Sequence, residues 1–275
     1  MTEQVQPGQL GLDGKIVLVT GGVRGVGAGI AAVLAGLGAT PVVCARRGPD
    51  SSSAERAPGE FVACDVRDPE QVGELVAGIV DRHGRLDGVV NNAGGSPFAL
   101  TADASDSFAA KIVALNLLAP LTVARAAHAV MTGQPGGGAI VNVSSVSGHR
   151  PSPGTAAYGA AKAGLDNLTG SLAVEWAPQV RINSVIAGPV QTESSHLHYG
   201  DEAGVAAVGA TIPMGRLARP SDIGHAVAFL LSPLAAYITG STLTVHGGGE
   251  KPAFLDAANA GNDVQQVQTQ KSETS

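Results

Sequence analysis

Aromatic residues are scarce in this chain: one Trp, three Tyr and five Phe make up 3% of its 275 residues. Contacts with any small molecule must therefore come largely from aliphatic groups and backbone. Charge is scarce too, at 15% with a net value of −6, and that balance argues against a nucleic-acid binder, which needs clustered Lys and Arg to neutralise phosphates. Small or anionic metabolites stay open through local patches. Only two cysteines occur, Cys44 and Cys64, each inside an apolar strand-like run; two are too few for a disulfide framework, and they read as buried reduced thiols. The opening MTEQVQPGQLGLDGK lacks the basic and apolar regions of a secretion signal, and no apolar run approaches the ~20 residues of a membrane span. These absences predict a cytoplasmic protein with neither a membrane nor a nucleic acid as partner.

What is present is a hydrophobic share of 44% and many glycines and alanines, in a length that suits one large α/β domain with a proper core. Strand-like and helix-like segments alternate from Lys15 onward. Residues 15–20, 40–45, 60–64, 87–92, 139–144, 180–186 and 241–247 read as seven strands, several continuously apolar as in a parallel sheet covered on both faces. Helical patterns lie between them, for example 25–38 and 69–84. The alternation predicts right-handed crossovers and a Rossmann-type, doubly wound, seven-stranded parallel sheet with helices on both faces. Residues 1–256 form a single domain in this reading, and 257–275 a polar, disordered tail. Residues 189–215 are long for a connection unless they form a lid.

The first strand runs into TGGVRGVGAGI, with Gly21, Gly25 and Gly27 ahead of an Ala-rich helix. Glycines there allow a tight turn and close approach to a pyrophosphate, which the helix N-terminus would meet with free N–H groups. The second strand ends in VVCARR, so Arg46 and Arg47, with Arg24 in the glycine loop, stand where an acid would select NAD and a base selects the 2′-phosphate of NADP. NADP(H) is the expected cofactor and NAD(H) the alternative; a solvated basic patch is the bland reading of the same arginines. Asp65, just past the third strand, could accept a hydrogen bond from an adenine amino group.

The stretch TAAYGAAKAG sets Tyr158 four residues before Lys162, on one face of a helix. A phenol ordinarily ionises near pH ~10, so a tyrosine that exchanges protons near neutrality needs a cation beside it. Lys162 would be that cation, although the spacing alone is also met by accident in helix packing.

Taken with NNAG at 91–94, the serines before Tyr158 and the terminal VHGGG, these motifs occur in a fixed order over Leu12 to Gly248, and in that order the chain resembles the short-chain dehydrogenase/reductase superfamily, bacterial NADP-dependent ketoreductases included. The resemblance implies Tyr158 as general acid/base, Lys162 lowering its pKa and holding the nicotinamide ribose, Ser145 orienting substrate, and Asn116 breaking its helix locally to hold a water of a proton relay. Ser144 and Ser147 are nearby confounders. It also implies that Val26, Val66, Asn91, Asn92, Ala93, Gly94, Pro189, Val190 and Thr192 line the cofactor, and that the chain is a homotetramer, or failing that a dimer. Two departures from the family pattern are Ala187 before Gly188 and His246 where relatives carry an aspartate; His246 reads as structural. In the lid segment His196, His198 and Tyr199 are close together, as substrate contacts or as loop surface, and nothing near them insists on a metal. The expected activity is interconversion of a ketone and a secondary alcohol. A non-catalytic NADP-binding sensor on the same fold is the rival, disfavoured because Ser145, Tyr158 and Lys162 are all kept.

Overall fold

The computed structural model describes residues 10–48 and 59–258. Strands β1 (Ile16–Thr20), β2 (Thr40–Ala45), β3 (Glu60–Ala63), β4 (Gly88–Asn91), β5 (Gly138–Ser145), β6 (Val180–Ala187) and β7 (Thr242–Val245) form one sheet in the order β3-β2-β1-β4-β5-β6-β7. Every neighbouring pair is parallel. Helices α1 (Gly25–Gly36), α2 (Pro69–His83), α3 (Asp106–Val113), α4 (Ala119–Met131), α5 (Ala156–Trp176), α6 (His196–Tyr199), α7 (Glu202–Thr211), α8 (Pro220–Leu231) and α9 (Ala253–Ala257) complete the chain order. The expected tail lies outside the described residues, apart from Ala257 and Ala258.

Successive strand side chains point to opposite faces, and β1 shows why its run is apolar throughout. Val17 and Val19 pack with Ile30 and Leu34 of α1 and Ile223 and Val227 of α8, while Ile16 and Leu18 pack with α2, α4 and α5 on the other face. Helix α2 is fixed at both ends by its own sequence. Asp68 caps its start by accepting from the N–H of Glu70 at 3.0 Å, Pro69 occupies the first turn, and Gly84 ends it at φ +76°; such a cap contributes about 1 kcal/mol. Between them Val72, Leu75, Val76 and Ile79 form the buried stripe, each worth roughly 1.5–3 kcal/mol when fully buried.

One long apolar element escapes a reading for unbroken runs. Helix α3, a π-helical turn (Ala114–Leu118) and α4 continue into one another as Asp106–Met131, long and apolar enough by length and composition to cross a membrane. Lys111, Asn116, Arg125 and His128 interrupt the apolar letters, which hides the run from a reading for unbroken hydrophobicity. Here Val123, Ala127 and Met131 lie in the sheet core.

The chain reverses its direction of sheet growth between β1 and β4, and the crevice beyond their carboxyl ends is where open α/β sheets take ligands.

Candidate functional site

The glycine turn leaves β1 directly into that crevice. Gly21 has φ +63°, and a Cβ there would stand 3.0 Å from Ala93 Cα; one on Gly27 would strike the Gly21 carbonyl oxygen. The turn is therefore closed as tightly as glycine permits. Thr20 stitches it to the β4 turn, its Oγ1 accepting from the N–H of Asn92 and of Ala93, each at 3.0 Å. Asn92 Nδ2 returns a bond to Thr20 O at 2.9 Å. Helix α1 begins at Gly25 with no side-chain cap from Arg24 and no acid in its own first turn, so its first N–H groups have no intrahelical partners; Glu193 from the segment after β6 comes near, its Oε1 3.7 Å from where a Gly25 Cβ would be. Val26 packs against the core shared by α1 and α8. Asn91 departs from expectation. Strand alternation turns its side chain into the interior, 2% exposed, where Nδ2 donates to Asn142 Oδ1 at 2.9 Å and Pro120 O at 3.2 Å.

Arg24, Arg46 and Arg47 are exposed, and no ion pair joins any of them to a carboxylate among the described residues. Asp65 already has a partner that the sequence did not point to: Arg67 forks onto it, Nε to Oδ1 at 2.9 Å and a terminal nitrogen to Oδ2 at 2.6 Å. That fork, with Arg46 adding to it, holds the Asp65 carboxyl down at about 2. Val66 puts its side chain in the core under α2, leaving its backbone for any ligand. Beneath the turn the Cys44 carbonyl accepts the Gly21 N–H at 2.8 Å. Cys44 and Cys64 are free and buried, as the composition suggested, and a hydrogen bond between their thiols raises the pKa of Cys44 and lowers that of Cys64.

The catalytic candidates gather at the ends of β4 and β5. Asn116 sits at the centre of the π-helical turn, fully buried, and spends its amide on Gly95 N at 2.9 Å, Gly95 O at 3.0 Å and Ile112 O at 2.9 Å. The helix widens to a π turn at Asn116, the residue where the sequence suggested a local break, and continues beyond it. Gly94 is the close neighbour that makes room: a Cβ on it would lie 2.6 Å from Asn116 Oδ1 and 3.4 Å from Lys162 Nζ. Ser145 ends β5, accepts from Ser147 N at 3.2 Å, and brings its hydroxyl near enough to Tyr158 to favour the ionised phenol. Lys162 is buried, donates from Nζ to Val143 O at 2.7 Å, and lies 5.6 Å from the Tyr158 ring centroid.

The electrostatics correct the sequence reading on one point. Burial raises the Tyr158 pKa, the Ser145 hydroxyl opposes this, and Lys162 is not among the causes. The ammonium is engaged by the ring face and a backbone carbonyl rather than by the hydroxyl. Burial in turn brings Lys162 down to about 8, with Asp166 opposing.

Residues 189–215 hold two helices, α6 and α7, in place of a long bare connection. Their entry is pinned where Ala218 N donates to Pro189 O at 3.0 Å and Gln191 N to Ala218 O at 2.8 Å, with Val190 bridged to Ala218. Thr192 lies across the glycine turn, its methyl 3.5 Å from where a Gly25 Cβ would be. Tyr199 is partly buried and close enough to Tyr158 to act on its charge, whereas His196 and His198 are exposed. Among the described residues no group of three or more His, Cys, Asp or Glu could hold a metal. His246 packs against Gly188, where a Cβ would come within 2.8 Å of it.

Residues 21–250 match the family described as Enoyl-(Acyl carrier protein) reductase. Over 248 residues the chain is 38% identical to the 3-oxoacyl-(acyl-carrier-protein) reductase FabG of Vibrio cholerae, covering 87% of this chain and 98% of the relative. Over 245 residues it is 35% identical to the human dehydrogenase/reductase SDR family member 4, with 86% and 88% covered. The chain belongs to the short-chain dehydrogenase/reductase family. Among solved structures, the ligand-free aldohexose dehydrogenase of Thermoplasma acidophilum superposes on this short-chain dehydrogenase/reductase with a TM-score of 0.80 at 29% identity, over 86% of this chain and 94% of that one. Membership makes the protein an oxidoreductase of CH–OH and C=O groups that takes a nicotinamide cofactor. The glycine cradle and the uncapped start of α1 fit the pyrophosphate of such a cofactor.

Proposed function

We propose that this oxidoreductase interconverts a ketone and a secondary alcohol using NADP(H), with Tyr158 as general acid/base. One observation carries the reading: the buried Lys162 ammonium lies beneath the phenol ring of Tyr158, 5.6 Å from its centroid, with the Ser145 hydroxyl near enough to the phenol to favour its ionised form. A carbonyl oxygen placed between the two hydroxyls receives a hydrogen bond from Ser145, which stabilises the charge that develops on it, and a proton from Tyr158. The bound nicotinamide supplies hydride in reduction and accepts it in oxidation. Lys162 holds the ribose, Asn116 anchors the relay turn, and Gly21, Gly25, Val26, Gly27, Asp65, Val66, Asn92, Ala93, Gly94, Pro189, Val190 and Thr192 line the cofactor, with Arg24, Arg46 and Arg47 on its 2′-phosphate. The FabG relative makes a 3-oxoacyl thioester the first substrate to try. A panel of ketones and alcohols assayed with both cofactors by absorbance of the reduced nicotinamide tests this, and turnover of none of them rejects it. Two free thiols suit a cytoplasmic setting.

The segment from Pro189 to Gly215 acts in this reading as the lid. It carries Leu197 and Met214 at 72% and 66% exposure, apolar surface that closure would cover. Amide exchange in α6 and α7 is expected to slow several-fold when cofactor and substrate are both added. Equal rates with and without them would make the segment a rigid connection.

The assembly is a homotetramer in the same proposal, since α5 and the π-helical turn before α4 keep outward apolar groups, Val174 at 83% and Leu118 at 52% exposure. Light scattering at micromolar concentration is expected to give four times the 27.3 kDa chain mass, and a monomer there would reject the assignment.

A further inference from the structure

Helix α5 carries a third polar residue on the stripe that holds Tyr158 and Lys162. Asp166 follows Lys162 by one turn, so the three lie at i, i+4 and i+8. Its side chain is 8% exposed. Oδ2 accepts from Ser144 Oγ at 2.7 Å and is bonded to His149 Nε2 at 2.9 Å, while Oδ1 is buried and has no hydrogen bond among the described residues. A half-satisfied buried carboxylate is costly. Ser144 also reaches Lys162 O at 3.4 Å, so it bridges the carboxylate and the backbone of the lysine turn. Ser144 directly precedes Ser145 on β5, and His149 comes from the loop that follows it. Three elements thus meet on one carboxylate, two of them bearing the groups that must face a carbonyl oxygen together.

We propose that Asp166 is a positioning residue of the active site, clamping the Lys162 turn of α5 to the end of β5 through Ser144 and using its charge to keep the Lys162 ammonium protonated. The proposal rests on the oxidoreductase reading above for its catalytic consequence, but its electrostatic part stands on the protein alone. Around Lys162 the titratable groups are Tyr158 on its own helix and Asp166; His149 faces Asp166 from the loop after β5. Asp166 stands one turn from Lys162 on the same face of α5, and its charge acts against the burial that would discharge the ammonium.

The chain has five lysines, so lysine labelled with carbon-13 at Cε gives a spectrum in which each can be followed. In the full chain without ligands, one lysine is expected to titrate near about 8 and to disappear in Lys162→Ala. In Asp166→Asn, which keeps an acceptor for Ser144 and removes the charge, that midpoint is expected to move down by roughly half a pH unit or more. Asp166→Glu should bring it back toward the wild-type position. Should asparagine prevent folding, Asp166→Ser is smaller, still bonds Ser144 and serves the same comparison. A midpoint that does not move on loss of the charge overturns the proposal, whatever the enzyme turns over. In turnover, Asp166→Asn should lose kcat increasingly between pH 7 and 9 with KM for the ketone unchanged. A uniform loss at all pH values would mark a merely structural role and also overturn it. Absence of turnover in the wild type, with the midpoint still shifting, would sink the oxidoreductase reading and leave the charge coupling intact.

Discussion

Tyr158→Phe is expected to lower kcat by a factor of ~10² or more, with cofactor affinity and melting temperature nearly unchanged. The substitution removes one hydroxyl from a partly buried ring, and positioned proton transfer is worth ~10²–10⁴ in rate; a factor of ~10² corresponds to about 2.7 kcal/mol of barrier. Steady-state kinetics with cofactor titration measures both sides of this expectation, and near wild-type turnover would take the tyrosine out of its role. Lys162→Ala should harm cofactor affinity as well as kcat, because this cation is assigned to the ribose. The pH dependence follows from the directions found here. Burial raises the Tyr158 pKa, so the phenol keeps its proton through neutrality and is ready to give it up to a carbonyl oxygen. Lys162, at about 8, is charged below that value and loses its charge above it. Ketone reduction should therefore be fastest below about pH 8 and fall as pH rises through it, while alcohol oxidation, which needs the deprotonated phenol, should gain with rising pH.

NADPH is expected to bind at least about tenfold more tightly than NADH, a difference of about 1.4 kcal/mol. A well-formed hydrogen bond to a charged group contributes roughly 1.5–3 kcal/mol, so one guanidinium on the 2′-phosphate is enough. Arg24, Arg46 and Arg47 stand exposed and free of carboxylate partners among the described residues, whereas Asp65, the acid nearest to Arg46 in effect, is taken by Arg67. Because the arginines are exposed, the preference should shrink as salt is raised. Arg46→Asp should weaken NADPH strongly and leave NADH little changed. Equal affinities for the two cofactors, measured by fluorescence titration, would refute the assignment.

The architecture was legible because a parallel strand buried on both faces has to be apolar at every position, as Ile16 to Val19 are, and because glycines are forced where Gly27 meets the Gly21 carbonyl. The site motifs were legible for the same reason: chemistry restricts the residue types there. Other features leave no such mark. A turn of α5 looks alike whether Asp166 faces water or a buried serine, and the only clue is its place two turns after Tyr158. Asp65 and Arg67 are two letters apart in a loop, and only the fold of the loop brings them into a fork. Helices α6 and α7 were missed because α7 is built of alanine, glycine and valine with one buried residue, Gly209, so no stripe announces it. The direction of the Tyr158 shift depends on where the lysine nitrogen points, which spacing along a helix does not fix.

The paired thiols beneath the glycine turn equip the protein with a native reporter. Cys44 holds the turn through its carbonyl, while its thiol is buried with Cys64 in the core under α2, so a thiol-reactive dye can label it only in the fraction of time that this core opens. The labelling rate then measures how often the part of the sheet that carries the pyrophosphate cradle opens, with no engineered probe and with both thiols, Cys44 and Cys64, reporting on it. Occupancy of that cradle would register as protection of a sulfur that never touches the occupant.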